Sequence, residues 1–152
     1  MKPIFLDVDG VLNDTKTSQQ SGYNTIQPVP MGILNNILKQ VDEARVVISS
    51  SWRYMVLGGS MRLEGFQHLL ATHGFREPRK FVIDVLPADQ SCCSRGWLVY
   101  KWLYENNMLD SRFVCIDDVD LGYSDLSLPF VHTESHRGLS TTDAERVLEL
   151  LK

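Results

Sequence analysis

The chain has 152 residues, 43% of them hydrophobic, and carries net charge −4 from 15 basic and 19 acidic side chains. That length suits one globular domain with a real core and is too short for two independent ones. The acidic balance argues against a general nucleic-acid binder relying on phosphate attraction, and no apolar stretch approaches the roughly 20 residues that cross a bilayer. Three cysteines, Cys92, Cys93 and Cys115, are odd in number and two are adjacent, which fits free thiols in a reducing cytosol. No charged leader followed by an apolar h-region opens the chain, so a cytoplasmic protein is expected.

The first element is an apolar run, Pro3 to Leu6, continued by Val8 and broken by Asp7, Asp9 and Gly10. It is too short for a helix and lacks alternation, so it reads as a strand covered on both faces. Its carboxyl end is where open α/β sheets place ligands. Asp7 and Asp9 are two apart and converge on one cavity unless the chain turns between them. Like charges that close raise each other's pKa unless a cation neutralises them, and a divalent metal is the natural remedy.

Residues 14–30 are polar, contain Gly22, Pro28 and Pro30, and show neither helical nor strand period. They read as a loop, placed to act as a flap over the acids. Met31 to Ala44 carries Ile33, Leu34, Ile37, Leu38 and Val41, the spacing of an amphipathic helix. Arg45 to Ile48 predicts a second buried strand, ending in Ser49-Ser50-Ser51-Trp52-Arg53. Hydroxyls at such a strand end can donate to a phosphate oxygen. Ser49 is the first of them and Ser50 the alternative, and the Arg53 guanidinium suits bidentate phosphate contacts. Trp52 reads as a packing residue.

Met61 to His73 has Leu63, Phe66, Leu69 and Leu70 at helical spacing, with Gly74 beyond its end. Phe81 to Leu86 predicts a third strand. Ser94 then caps a helix that begins at Arg95 and carries Trp97, Leu98, Trp102 and Leu103. Phe113 to Ile116 repeats the opening design, an apolar strand ending in acids, here Asp117 and Asp118, with Asp120 and Asp125 as further candidates. Pro129 to His132 is a short last strand, and Thr142-x-x-Glu145 predicts a capping box for a final helix with Val147, Leu148 and Leu151. The four histidines show no metal-ligand spacing. Strands alternating with helices imply an α/β fold, a three-layer, doubly wound and mostly parallel sheet.

The string Asp7-Val8-Asp9-Gly10-Val11-Leu12-Asn13 after four apolar residues resembles the first motif of the haloacid dehalogenase (HAD) superfamily. Ser49 resembles its second motif, Arg95 or Lys101 its third, and Asp117-Asp118 its fourth. Together with Ser50-Ser51-Trp52-Arg53 and Gly138-Leu139-Ser140, the chain is most similar to small capless HAD domains, some associated with RNA-end repair. The resemblance implies a single Rossmann-like HAD domain over residues 1–152 with no separate cap, its first and fourth strands adjacent.

It further implies a Mg²⁺-dependent phosphatase that works through an aspartyl-phosphate. Asp7 is the nucleophile and Asp9 the general acid and base. Ser49, Ser50, Arg53 and Arg95 hold the phosphate, and Asp7, Asp9, Asp117 and Asp118 hold the metal, Asp9 through its carbonyl. An acid at position 9 favours phosphoryl transfer over carbon–halogen cleavage. The expected partner is a phosphorylated small molecule, nucleotide or nucleic-acid end, with no membrane. A phosphotransferase or mutase, or a non-catalytic phosphate-binding module of the same fold, are the alternatives.

Overall fold

The computed structural model describes residues 1–21, 25–91 and 93–152; Cys92 and the centre of the expected flap, residues 22–24, lie outside them. Five strands make one all-parallel sheet: β1 (Lys2–Leu6), β2 (Ala44–Ile48), β3 (Val82–Val85), β4 (Val114–Asp117) and β5 (Phe130–His132), in the order β3-β2-β1-β4-β5. The order reverses at β1, so β1 lies between β2 and β4, and the expected adjacency of first and fourth strands holds. Strand register sets which side chains meet. Leu6 pairs with Ile48 on one side and Ile116 on the other, which brings Asp7, Ser49 and Asp117 to the same edge.

Alternation along the strands divides the core into two layers. Ile4, Leu6, Val46, Ile48, Val114 and Ile116 face one layer, with α2 (Pro28–Gln40), α4 (Leu63–Thr72) and α7 (Thr141–Leu151) supplying Leu34, Ile37, Phe66, Leu70, Val147 and Leu151. Phe5, Val47 and Cys115 face the other, under α6 (Arg95–Glu105) with Leu98, Val99, Trp102 and Leu103. Phe5 is fully buried and meets Trp102 and Phe113 edge to face, with centroids 5.4 and 6.0 Å away. Full burial of such a side chain contributes roughly 1.5–3 kcal/mol. No helix among the described residues is long and apolar enough to cross a membrane, and no separate cap is inserted among them.

The boundaries differ from the sequence reading where local chemistry intervenes. The helix expected from Met31 begins at Pro28 and ends at Gln40. Prolines at the start are tolerated because first-turn N–H groups have no intrahelical partner, and Ala44 opens β2 instead. Residues expected to be loop include the helix α1 (Thr15–Ser21). Asp14 precedes it and accepts from the Thr17 backbone N–H at 2.6 Å and the Thr17 hydroxyl at 2.8 Å, an N-cap in an Asp-x-x-Thr setting. Phe81, expected in β3, closes the short helix α5 (Pro78–Phe81) instead. The final helix is capped earlier than expected, by Ser140 and Asp143 rather than Thr142 and Glu145.

Candidate active site

Asp7 leaves β1 still in the ladder, its N–H donating to the Ile116 carbonyl at 3.0 Å, while Ser49 N–H donates to the Leu6 carbonyl at 2.9 Å. The chain then turns. The carbonyl of Val8 accepts from both Val11 and Leu12, so Asp9 does not share the strand direction of Asp7. Gly10 sits in this turn at φ +76°, and a Cβ there would stand 2.2 Å from Asp118 Oδ2. Glycine is therefore required both by backbone conformation and by the approach of an acid.

Three carboxylates gather at the strand ends. Oxygens of Asp7, Asp117 and Asp118 all lie within 4.8 Å of one another. Asp7 and Asp117 are buried, and Asp118 is half-buried. Loss of solvent, and then the Asp117 charge, push the Asp7 carboxyl up to about 7 against the pull of Ser50, Arg95 and the Val8 N–H. Asp117 is raised too, first by burial, despite hydrogen bonds from the Tyr123 hydroxyl and the Val119 N–H and the nearby Arg95. Tyr123, itself fully buried, donates to Asp117 Oδ2 at 2.8 Å, and Val119 N–H donates to Oδ1 at 3.0 Å.

Arg95 is the basic side chain that reaches this group among the described residues. Its Nη1 lies 3.9 Å from an oxygen of Asp7 and 3.9 Å from one of Asp117, and its Nη2 lies 4.0 Å from Asp89. Its Nε is buried without a hydrogen-bond partner among the described residues. Lys101 points elsewhere, pairing with Glu105 at 3.8 Å and resting on the Trp97 ring. Helix α6 brings Arg95 in because Gly96 packs against the loop after β4; a Cβ there would meet the Gly122 carbonyl at 2.4 Å.

The Asp9 carboxylate stands outside the three-acid group and is held from two sides. Trp52 Nε1 donates to its Oδ2 at 3.0 Å and Asn13 Nδ2 to its Oδ1 at 2.9 Å. Asn13 is fully buried; its Oδ1 also accepts from Gly10 N–H, and its Nδ2 reaches the Thr25 carbonyl. Thr133, just past β5, adds a stitch, its hydroxyl donating to the Gly10 carbonyl and its N–H to that of Asp117.

Of the two candidate serines, Ser50 is the one whose hydroxyl helps hold the Asp7 carboxyl down, and it accepts from Trp52 N–H. The Ser49 hydroxyl is fully buried and has no partner among the described residues. Arg53 lies beside the site but faces the protein. It is fully buried and donates to the carbonyls of Ser49, Ser50 and Pro87 and to Asp89 Oδ1 at 2.7 Å, so four of its five N–H groups are used within the fold. Asp120 organises its own loop, accepting from the N–H groups of Gly122, Tyr123 and Ser124. Asp125 is exposed. His132 is the histidine that touches this region, its Nε2 standing 2.8 Å from the Asp118 carbonyl oxygen.

Hard oxygen donors, like-charged and partly stripped of water, fit a divalent cation such as Mg²⁺, and an ion there would relieve the crowding that lifts Asp7. The arrangement therefore combines a carboxylate, a second acid held apart, a guanidinium and a set of metal-competent oxygens at one sheet edge. The model of the family described as the HAD domain in Swiss Army Knife RNA repair proteins matches residues 3–144. No curated protein and no solved structure matches the chain.

Proposed function

The chain belongs to the family of HAD domains in Swiss Army Knife RNA repair proteins, and we propose that it is a divalent-metal-dependent phosphatase acting on phosphomonoesters at RNA ends. The observation that carries this reading is the Asp7 carboxylate flanked by Arg95, Ser50 and two further acids.

In the first step an Asp7 oxygen attacks phosphorus. The bond to the leaving oxygen breaks, and its electron pair stays with that oxygen, which takes a proton from the Asp9 carboxyl. The aspartyl-phosphate is then hydrolysed: Asp9, now a carboxylate, takes a proton from water, whose oxygen attacks phosphorus and releases Asp7. This splits one difficult displacement into two easier ones, and proton transfer of this kind contributes roughly 100- to 10,000-fold.

Asp7, Asp117 and Asp118 would hold the cation, with the Asp9 carbonyl as the further ligand that the resemblance implies. A bound Mg²⁺ supplies charge neutralisation and polarises a phosphoryl oxygen. Arg95 and the Ser50 hydroxyl receive the phosphoryl oxygens as negative charge builds in the transition state. Arg53 is assigned a supporting part, fixing the carbonyls of Ser49 and Ser50 so that the hydroxyl row stays in place.

Phosphate release from an aryl phosphate, then from RNA oligonucleotides phosphorylated at the 5′ or 3′ end, tests the assignment in wild type and Asp7→Asn with Mg²⁺ or EDTA. Turnover that needs metal and disappears in the variant is expected. Turnover unaffected by EDTA, or retained by Asp7→Asn, overturns it. Activity confined to small phosphates overturns the RNA-end part alone.

A further inference from the structure

Trp52 bonds Asp9 and, by a second N–H, the Ser50 hydroxyl of the serine row. Its backbone N–H donates to the hydroxyl of Ser50 at 3.3 Å, a residue beside Asp7. Its indole Nε1–H donates to Asp9 Oδ2 at 3.0 Å. Trp52 is 5% exposed and belongs to the core layer, so its position is set by packing rather than by the acid it serves. On the opposite oxygen, Asn13 Nδ2–H donates at 2.9 Å from a residue with no exposed surface.

We infer that Trp52 and Asn13 are positioning residues for Asp9, which clamp its carboxyl with one N–H on each oxygen and so fix the lone pair that exchanges a proton with the substrate. A carboxylate oxygen has two acceptor sites. Each oxygen of Asp9 spends one on its clamp and keeps one, so either can carry a proton while both clamps remain in place. Rotation of the carboxyl about Cβ–Cγ would break both hydrogen bonds together. The orientation is thereby set before a substrate arrives, which is where preorganisation gains its advantage. Asn13 extends the clamp to the segment after the first acids, since the same Nδ2 donates to the Thr25 carbonyl at 2.7 Å. The inference rests on the reading of Asp9 as the acid and base.

In the first step, Asp9 gives its proton to the leaving oxygen as the phosphorus–oxygen bond breaks. That help matters most when the leaving group is poor. A nitrophenolate departs nearly unaided, whereas an alkoxide does not. Loss of the clamp must therefore appear as a leaving-group effect, which a general loosening of the fold would not produce.

The experiment compares wild type, Trp52→Phe and Asn13→Ser on a series of phosphate esters from nitrophenyl through phenyl to alkyl, with Mg²⁺ present and folding checked by circular dichroism. Trp52→Phe keeps an aromatic ring in the core and removes the indole N–H. We expect kcat/KM to fall about tenfold or more for the alkyl ester and about twofold or less for the nitrophenyl ester, with Asn13→Ser giving the same selectivity. In an Asp9→Asn background, Trp52→Phe should leave the leaving-group dependence across the aryl esters unchanged. Equal losses on all esters, or a further change in that background, overturn the inference while the phosphatase reading stands. A wild type inert toward every ester, phosphorylated RNA ends included, overturns both.

Discussion

Arg95 Nη1 lies 3.9 Å from Asp7 Oδ1, close enough for attraction and too far for a hydrogen bond. It stands at the same distance from Asp117, so one guanidinium offsets two buried acids that also face the candidate metal site. Replacing it by an uncharged side chain of similar length separates its two effects. Arg95→Met should lower kcat by about 100-fold or more, because a cation aimed at developing charge is lost. It should bind Mg²⁺ at least as tightly as wild type, because a competing positive charge has gone. Isothermal titration with Mg²⁺ beside steady-state kinetics checks both halves, and weaker metal binding would contradict the competition between the two cations.

The Asp7 carboxyl, pushed up to about 7 by burial and then by Asp117, gives a pH dependence with a definite sign. Its folded pKa exceeds its unfolded value near 3.9, so the fold favours the protonated form. The associated stability is present below about pH 4 and is lost as pH rises through about 7. In EDTA, the Tm of wild type should therefore fall relative to that of Asp7→Asn between about pH 4 and pH 7. Mg²⁺ should remove this relative fall by holding the carboxylates ionised. Parallel Tm curves for the two proteins in EDTA would refute the burial argument.

At Gly10 a methyl group would be placed 2.2 Å from Asp118 Oδ2 on a backbone at φ +76°. Gly10→Ala should destabilise the fold by about 1–3 kcal/mol and weaken metal binding, because the acid must move to admit the methyl. Denaturant titration and metal titration measure the two effects separately.

Tyr123→Phe removes the O–H that bonds Asp117 Oδ2 at 2.8 Å and leaves a carboxylate oxygen that is almost fully buried without that donor. We expect a stability loss of about 1–3 kcal/mol. Metal affinity should fall by about 10- to 100-fold, the usual effect of removing a group that orients a ligand. Unchanged affinity with reduced stability would reduce Tyr123 to a core residue.

Arg53→Met should cost about 3 kcal/mol or more, since the guanidinium is fully buried and its removal strands the carbonyls of Ser49, Ser50 and Pro87. Its loss should be visible in unfolding even without metal or phosphate, which separates it from a residue that contacts the substrate alone.

The apolar strands ending in acids are legible in the sequence because burial on both faces and charge at the tip leave a local mark, as at Leu6-Asp7 and Ile116-Asp117. Helix α6 and its Ser94 cap are legible for the same reason, being short-range patterns. Trp52 is not legible as a partner of Asp9. A tryptophan after three serines looks like a packing residue, and its 3.0 Å hydrogen bond crosses 43 residues of chain. Thr133 likewise acts across 123 residues of chain, while Asn13 and Tyr123 reach acids only four and six residues away through irregular turns that follow no spacing rule. The choice between Ser49 and Ser50 turns on which hydroxyl the strand end directs at Asp7, and two adjacent serines of identical chemistry do not reveal that. Helix α1 escapes a periodicity reading because it has no apolar stripe, although its Asp-x-x-Thr cap is a local signal that could have found it.

The reversal of strand order at β1 has a consequence for how the protein matures. Asp117 and Asp118 are made more than a hundred residues after Asp7, yet they meet it through direct β1–β4 pairing. A growing chain that has built β1, β2 and β3 has the first acid and no three-acid group. Reactive assembly is thus deferred until β4 docks against β1, the long-range contact that closes late in such topologies. The proposed metal uptake would then report completed folding, and chains truncated before β4 would lack the three-acid group as well as the finished sheet.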